Sequence, residues 1–331
     1  MNYQSGSATS STDLLQQLVT WLVGLGWTQD RSAAEGSGWT ASLHKNGNYA
    51  HLRAAESETT IWSSNFGAAH YGLHMFTGTA FIGGQLFKDQ TTGAPIASGG
   101  SNTIGVGMQL SAGPFSNYFF FADGTADNIV VVVEKTPGLY EHIGWGLSLE
   151  KAGSYTGGAY FFGSAAGYYV SDTSVAAGTN GFTSSSDCPG VNLDAIGGGC
   201  MFVRADVDSW TGKWVSISVV ASGNQGYTGK IGDCSVKGKN NSMKSNFPVY
   251  AYSNAGQFQE RQTSQQDGRA NLLPLMLWAQ RDSTTSGFSL LGTVPWVFAS
   301  NAVGNGFSNA DEYVIGSTTY KLFPNFAVVK Q

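Results

Sequence analysis

The fold class is indicated first by residues 38–53, which read GWTASLHKNGNYAHLR. Two runs of β-forming residues, 38–44 and 48–53, flank the pair Asn46-Gly47. Asn-Gly is favoured in two-residue hairpin turns because both residues tolerate the positive φ angles that such a turn requires. The segment therefore predicts an antiparallel hairpin, and a third strand is predicted at residues 59–63.

A single amphipathic helix precedes this hairpin. Its apolar residues recur at spacings of three and four, which places them on one face: Leu14, Leu15, Leu18, Leu22 and Leu25. Ser11 or Thr12 can cap the start, and Asp13 suits the positive end of the helix dipole. We therefore predict a helix at about residues 12–25 that covers the hairpin, within a small α+β unit of residues 1–78.

Beyond residue 78 the chain consists of short strand-like runs separated by turns rich in glycine. The runs lie at residues 117–121, 128–134, 159–162, 199–204, 213–220, 248–252, 294–299, 312–315 and 319–324. Many short strands spaced in this way predict antiparallel sandwich or barrel-like sheets. The chain is thus predicted to be mainly β, with a β-rich domain at 79–331 and a long Gly/Ser-rich loop or arm at about 163–199.

The amino-acid composition indicates how much of the surface is in contact with other subunits. Of 331 residues, 45 are glycine, about twice the average share, and only 12% are charged, about half the usual share. Disordered chains have the opposite composition, with much charge and few aromatic residues. Because free-standing domains usually carry about a quarter charged residues for solubility, we expect much of this surface to lie against other subunits. A neutral Ser/Thr/Asn/Gly surface on a monomer would have the same composition.

Several classes of protein are disfavoured by charge and hydropathy. The net charge is −5 without a basic block, which disfavours nucleic-acid binding, since that requires Lys and Arg to neutralise phosphates. The most apolar runs, 128–133 and 272–278, are far shorter than the roughly 20 residues of a membrane-spanning helix. The first residues also lack the pattern of a secretion signal. Three cysteines form no CxxC pair, so we expect reduced thiols: Cys188, Cys200 and Cys234.

Two groups of residues have the spacing of metal ligands. His70 and His74 are four residues apart, which would place them on one face of a helix, but glycines nearby disfavour a helix and no acidic third ligand follows. We favour packed histidines there. Asp206 and Asp208 form a DxD motif without the full spacing of a calcium loop, and a solvated strand face is the favoured interpretation. No metal or other cofactor is predicted.

Catalytic motifs are missing from the sequence. There is no GxSxG, and residues 223–230 resemble a phosphate loop only superficially, because Ile231 occupies the position of the required Ser or Thr. The enzyme hypothesis that remains is a polysaccharide depolymerase, whose two carboxylates would come from four residues: Asp187, Asp194, Asp206 and Asp208. No pattern selects two of them, so we predict that the protein is not an enzyme.

Aromatic residues cluster in a glycine-rich stretch of the middle of the chain: Trp145, Tyr155, Tyr160, Tyr168 and Tyr169. Such rings can stack on sugars, which is the basis for an alternative function in receptor or glycan binding. Aromatic residues of this kind also fill cores and subunit interfaces, and we favour that interpretation.

Three parts of the chain resemble a known family. The opening reads YQSGSAT at residues 3–9, followed by DLLQQL at 13–18 and GWT at 26–28. This order is similar to the start of virion structural proteins from tailed bacteriophages. The stretches YEHIGWGL (140–147) with TGGAYF (156–161), and LLGTVP (290–295) with YKLFPN (320–325), resemble the same family. The Gly/Ser-rich residues 165–186 depart from it.

The resemblance implies a non-enzymatic structural component of the virion, specifically of the tail or baseplate, present in several symmetric copies. Its partners would be other virion proteins and further copies of itself, with neither nucleic acid nor membrane, and it would be assembled in the host cytoplasm. The predicted interface comprises the N-terminal arm and an aromatic strip: Tyr3, Gln4, Trp145, Tyr155 and Tyr160. Alternatives are a tail protein that binds a host receptor or glycan, a capsid-decoration or head-to-tail protein, and the depolymerase.

Overall fold

The computed structural model describes residues 1–60, 65–95, 103, 105–167, 201–206, 213–217, 231–232, 272–280, 288–300, 302–303, 306–324 and 326–331. Within these ranges the elements follow in this order: β1 (Asn2–Ala8), α1 (Ser11–Gly24), β2 (Thr28–Glu35), β3 (Gly38–Lys45), β4 (Asn48–Thr60), β5 (Asn65–Gly78), a short 3-10 helix (Phe87–Asp89), β6 (Gly105–Leu110), β7 (Phe115–Ala122), β8 (Asn128–Thr136), β9 (Leu139–Gly146), β10 (Glu150–Lys151), β11 (Thr156–Gly163), β12 (Ala165–Gly167), β13 (Met201–Asp206), β14 (Lys213–Ile217), β15 (Ile231–Gly232), β16 (Leu272–Gln280), β17 (Phe288–Ser300), β18 (Glu312–Ile315), β19 (Thr318–Phe323) and β20 (Phe326–Val329).

The strands of the described ranges form three sheets. The central sheet has the order β1-β7-β8-β9-β11-β13-β14-β15. The N-terminal sheet has the order β12-β6-β5-β4-β3-β2, and the C-terminal sheet has the order β10-β17-β20-β19-β18, with β16 also paired to β17. Neighbouring strands are antiparallel except for β14 and β15, which are parallel. The prediction of a mainly β protein with antiparallel sheets and one N-terminal helix is confirmed.

The central sheet is the middle layer of the molecule. Alternate residues of its strands, such as Phe120, Val131 and Phe161, belong to a core shared with α1 and the N-terminal sheet. The residues between them, such as Phe121 and Val130, belong to a second core shared with the C-terminal sheet. Because side chains alternate between the two faces of a strand, both faces of the central sheet are covered.

This position explains the uninterrupted apolar run in β8. All residues from 128 to 133 are buried, including five consecutive branched aliphatic residues. A strand with one solvated face would alternate apolar and polar residues, whereas a strand covered on both sides is apolar throughout. The run marks a strand that is enclosed on both faces.

The helix is confirmed, with its boundaries shifted by one residue. Its N-cap is Ser10, whose hydroxyl accepts a hydrogen bond from the Asp13 N–H at 3.2 Å, and not Ser11 or Thr12. Ser11 is buried within the first turn instead. The leucines at 14, 15, 18 and 22 are fully buried, so α1 packs its apolar face into the core that the central and N-terminal sheets share.

The hairpin at residues 38–53 is also confirmed. β3 and β4 pair up to Lys45 and Asn48, and the two turn residues have positive φ, 48° at Asn46 and 78° at Gly47. Of the predicted third strand at 59–63, Thr59 and Thr60 belong to the end of the long β4, and residues 61–63 lie outside the described residues. On its other side β4 pairs with β5, a strand that the glycines of residues 65–78 had concealed.

Most of the predicted strands beyond residue 78 are present, although the run at 248–252 lies outside the described residues. Backbone pairing crosses residue 78 twice, because β1 pairs with β7 and β5 pairs with β6. The division into two domains at this residue stays a prediction. Within the predicted loop at 163–199, residues 165–167 form β12, and residues 168–199 lie outside the described ranges.

Candidate functional site

The N-terminal strand β1 forms one end of the central sheet. Among the described strands it has a single hydrogen-bonded neighbour, β7, with Tyr3 opposite Phe121 and Gln4 opposite Phe120. Its sequence, NYQSGSA, carries no charge, and Ser5 and Ser7 are exposed. An edge strand presents a row of backbone N–H and C=O groups to which another strand can be added. This edge is therefore a candidate surface for assembly.

A chain of hydrogen bonds fixes β1 to its neighbours. Gln4 Nε2 donates to the Tyr118 hydroxyl at 2.9 Å, and that hydroxyl donates to Gln17 Oε1 of α1 at 2.6 Å. Gln17 Nε2 in turn donates to the Ser7 carbonyl at 3.1 Å. The strand, β7 and the helix are thus joined through side chains as well as through the sheet, which holds the edge in one conformation.

The connection between β1 and α1 is held by Asp13. Its carboxylate accepts hydrogen bonds from the Thr9 N–H at 2.7 Å and the Thr9 hydroxyl at 3.0 Å, and from Gln17 Nε2 at 3.1 Å. Partial burial would by itself raise the pKa of Asp13, but these hydrogen bonds together lower it below its ordinary value. The carboxylate is therefore ionised near neutral pH and locks the turn.

Tyr3 and Gln4 point to opposite faces of the sheet. The Tyr3 ring packs on Phe121 with ring centroids 5.3 Å apart, and Lys330 Nζ lies 4.7 Å from the Tyr3 ring centroid. Gln4 faces the helix. Both residues of the predicted N-terminal arm therefore lie at the edge of the central sheet, as parts of a regular strand.

On the helix side, this edge borders an open groove of about 610 Å³, which we call the α1 groove. It is lined by one residue of β1 and six at the exposed side and C-terminal end of α1: Gln4, Gln16, Gln17, Thr20, Trp21, Gly24 and Leu25. None of the seven side chains is ionisable. The groove thus combines amide and hydroxyl groups with an indole.

The predicted aromatic strip does not lie on the surface. Trp145 and Tyr160 are each 1% exposed and project from opposite faces of the central sheet into the two cores. Trp145 packs edge-on to Trp27, and the Tyr160 hydroxyl donates to Asn128 Oδ1 at 2.9 Å. Both residues are thus corrected to core positions, because burial within the chain leaves no ring for a partner subunit. Tyr155 is half-buried, and burial raises its pKa to about 12.

Glycines in β9 make room for these rings. Gly146 is opposite Tyr160 and Gly144 is opposite Phe162 in the register of β9 and β11. A Cβ atom at Gly146 would collide with the Tyr160 ring, and one at Gly144 with the Phe162 ring. The glycines at 144 and 146 therefore allow the aromatic rings of the adjacent strand β11 to pack over β9. The pairing of β9 with β8 is regular at both glycines.

A buried ionic cluster lies at the end of the N-terminal sheet. The Arg53 guanidinium donates to Glu58 Oε1, and its Nε lies 3.6 Å from Glu35 Oε1. The Ser37 N–H also donates to Glu58 Oε1 at 3.0 Å. The side chains of Arg53 and Glu58 are 4% and 7% exposed. Each buried charge is stabilised by the opposite charge beside it, and removal of either residue would leave the other charge buried without compensation. The cluster fixes the turn between β2 and β3 against β4.

His70 and His74 lie next to this cluster, on the strand β5 and not on a helix. Their Nε2 atoms are 3.0 Å apart, and both residues are buried. Burial and the nearby Lys135 charge lower the pKa of His70 to about 4, and burial, His70 and Arg53 lower the pKa of His74 well below its ordinary value. Both rings are thus neutral at pH 7, packed together in the sheet. No group of three or more potential metal ligands occurs among the residues that the structure describes.

The four carboxylates of the depolymerase hypothesis are not brought together by any described contact. Asp206 is the last residue of β13, and Asp187, Asp194 and Asp208 lie outside the described residues, as do the three cysteines and residues 223–230.

Three residues that line the α1 groove were not predicted from the sequence: Gln16, Thr20 and Trp21. The signal for them was the polar stripe of α1 opposite its leucines, but the partner β1 could not be inferred from that stripe.

A scan against protein-family models gives no match, and a search of curated proteins gives none either. Within the described ranges, no helix has the length and hydropathy needed to cross a membrane. The class that the structure defines is therefore a three-layered, mainly β protein.

Proposed function

We propose that this protein is a non-enzymatic structural component of a tailed-phage virion, specifically of the tail or baseplate. It associates symmetrically with copies of itself and with other virion proteins, after synthesis in the host cytoplasm. The family resemblance of residues 3–28, 140–161 and 290–325 provides the virion context for this proposal.

The observation that carries the assembly mechanism is the edge formed by β1. Addition of a strand to a sheet edge uses main-chain hydrogen bonds for affinity, and it needs an edge that is ordered beforehand. β1 meets this need because the hydrogen bonds from Gln4 through Tyr118 to Gln17 hold it in place. β1 has no charged residue of its own to repel a neighbouring strand, and its exposed residues Ser5 and Ser7 are small.

The charge content agrees with this mechanism. Charged residues make up only 12% of the chain, and two of them, Arg53 and Glu58, pair with each other in the buried cluster and add no charge to the surface. The surface therefore repels other copies weakly, since repulsion between like-charged molecules is what normally keeps proteins apart. A low surface charge favours subunits that lie against one another.

The edge can be tested by placing charge on it. Replacing the exposed Ser5 and Ser7 with Lys should abolish self-association of the purified chain, because lysines on an edge strand block the approach of another strand. The matched control is the pair Ser154→Lys and Ser317→Lys, which makes the same change in net charge at exposed positions in turns and loops.

Sedimentation velocity of the three proteins gives the readout. We expect the unmodified chain and the control to form oligomers and Ser5→Lys/Ser7→Lys to remain monomeric, with unchanged circular dichroism. A chain that is monomeric at all concentrations, or an edge variant that associates as well as the control, would contradict the proposal.

A further inference from the structure

We propose that the α1 groove is a binding site for a neutral saccharide. The inference goes beyond assembly and does not depend on it, because the groove lies on the helix side of β1 and not on its outer backbone edge. It would hold equally for a protein outside the virion.

The groove offers the hydrogen-bonding groups that sugar hydroxyls require. Gln16 supplies an amide with donors and an acceptor, and Gln4 keeps its amide oxygen and one N–H beside its bond to Tyr118. The Thr20 hydroxyl adds a further group, whereas both N–H groups of Gln17 are taken by Ser7 and Asp13. A sugar hydroxyl is both donor and acceptor, so neighbouring hydroxyls on a ring match a row of amides. Thr20 already donates to the Gln16 carbonyl at 2.9 Å, which leaves its oxygen free to accept.

Trp21 supplies the apolar part of the site. Its ring packs against Phe120 with centroids 5.5 Å apart, and the partly exposed remainder lines the groove. An indole held in this way presents a flat apolar surface to the C–H groups of a sugar ring at little cost in conformational entropy. The combination of one anchored aromatic ring with several amides is chemically suited to a saccharide.

Part of the groove is ordered before a ligand arrives. The Gln4 amide is held by the Tyr118 hydroxyl, and Gln17 is held by the same hydroxyl and by the Ser7 carbonyl. Gln16 and Thr20 are exposed at the rim, where they can adjust to the ligand. The fixed Gln4 amide sets the orientation of a sugar, and the rim residues Gln16 and Thr20 adjust to it.

The electrostatics select a neutral ligand. The groove runs to Gly24 and Leu25, at the C-terminal end of α1, where the helix dipole is negative and the last turn has no basic residue. Hydroxyl groups that donate hydrogen bonds are favoured there, whereas carboxylates, sulfates and phosphates are repelled. Acidic glycans and nucleic acids are therefore poorer ligands than uncharged sugars.

The test uses the full chain on an array of neutral and acidic oligosaccharides, followed by calorimetric titration of the strongest neutral ligand. We expect binding to neutral members, and we expect Gln16→Ala/Thr20→Ala to weaken it by about tenfold or more, since two hydrogen bonds are lost. The control is Val23→Ala, a residue of the same helix that is 45% exposed and does not line the groove.

The substitutions are all to alanine at exposed or surface positions of a helix, where alanine is the best helix former, so α1 should stay folded. Thermal unfolding followed by circular dichroism checks this directly. Three results would overturn the proposal: binding of no neutral saccharide, binding of acidic glycans alone, or equal affinity in Gln16→Ala/Thr20→Ala and Val23→Ala. A sugar-binding chain that fails to self-associate would contradict the assembly proposal alone.

Discussion

Replacing Phe120 with Ala and, in a second variant, Phe121 with Ala should each lower the free energy of unfolding by about 3–5 kcal/mol. The two residues are adjacent in β7, and both are fully buried. In a sheet with one solvated face, one of two consecutive residues would point to water. Equal and large losses at both positions follow only when the sheet is covered on each side.

The two rings report on different layers of the molecule. Phe120 packs against Trp21 of α1 and stacks on Tyr118 with centroids 4.2 Å apart. Phe121 packs against Phe323 of the C-terminal sheet, with centroids 6.0 Å apart. Each truncation therefore leaves a cavity in a separate core, and surrounding side chains held by two sheets can relax into it only partly.

Urea denaturation followed by tryptophan fluorescence and by circular dichroism measures both losses. The control is Ser116→Ala, an exposed residue of the same strand, which should change the free energy of unfolding by no more than about 0.5 kcal/mol. If either phenylalanine variant behaves like the control, the central sheet is not the middle layer.

Acidification from pH 7 to pH 5 should destabilise the fold by about 4 kcal/mol through His51 and His142 alone. Burial lowers the pKa of each ring to about 3, against about 6.5 in an unfolded chain. Between these values the unfolded chain binds protons that the native chain does not. Stability is therefore highest above pH 6.5 and falls as the pH decreases toward the native pKa values, by about 1.4 kcal/mol per pH unit for each histidine.

His142 allows the cause to be isolated. Its ring packs between Phe162 and Phe326, and its Nε2 has no hydrogen-bond partner among the described atoms. In His142→Met, an apolar side chain of similar size takes this place, so the slope of stability against pH should decrease by about 1.4 kcal/mol per unit between pH 6 and 4.5.

Urea titrations at intervals of half a pH unit provide the slope for both proteins. The carboxylates are the same in both proteins, so their contribution cancels in the difference between the two slopes. An unfolding free energy that is constant from pH 7 to 4.5, or an unchanged slope in His142→Met, would contradict this prediction. Either result would show that the pKa values of these rings are not lowered in the native fold.

The sequence allowed the local elements to be predicted because their causes are local. The leucine spacing of α1, and the Asn46-Gly47 turn, need no knowledge of the rest of the chain. β5 was missed for the opposite reason. A Cβ at Gly72 would collide with the backbone of β6, so a glycine that disfavours a strand by propensity is required by the neighbouring strand.

The candidate surface could be predicted only in part. The interface role of Tyr3 and Gln4 stays a prediction, and their place in a sheet could not be predicted because the pairing of β1 with β7 joins positions more than a hundred residues apart. Trp145 and Tyr160 were assigned to a surface because aromatic residues suit interfaces and cores equally. The glycines opposite Tyr160 and Phe162 distinguish the two cases, and their role depends on the register of β9 and β11.

The most direct test of the proposed function is mass spectrometry of purified phage particles with copy number, combined with hydrogen exchange of the chain before and after assembly. We predict several copies of the chain per particle, and slower exchange at the amides of residues 2–8 in the assembled state, because β1 gains a neighbouring strand. Absence of the chain from particles, or exchange at β1 that is unchanged by assembly, would contradict the account.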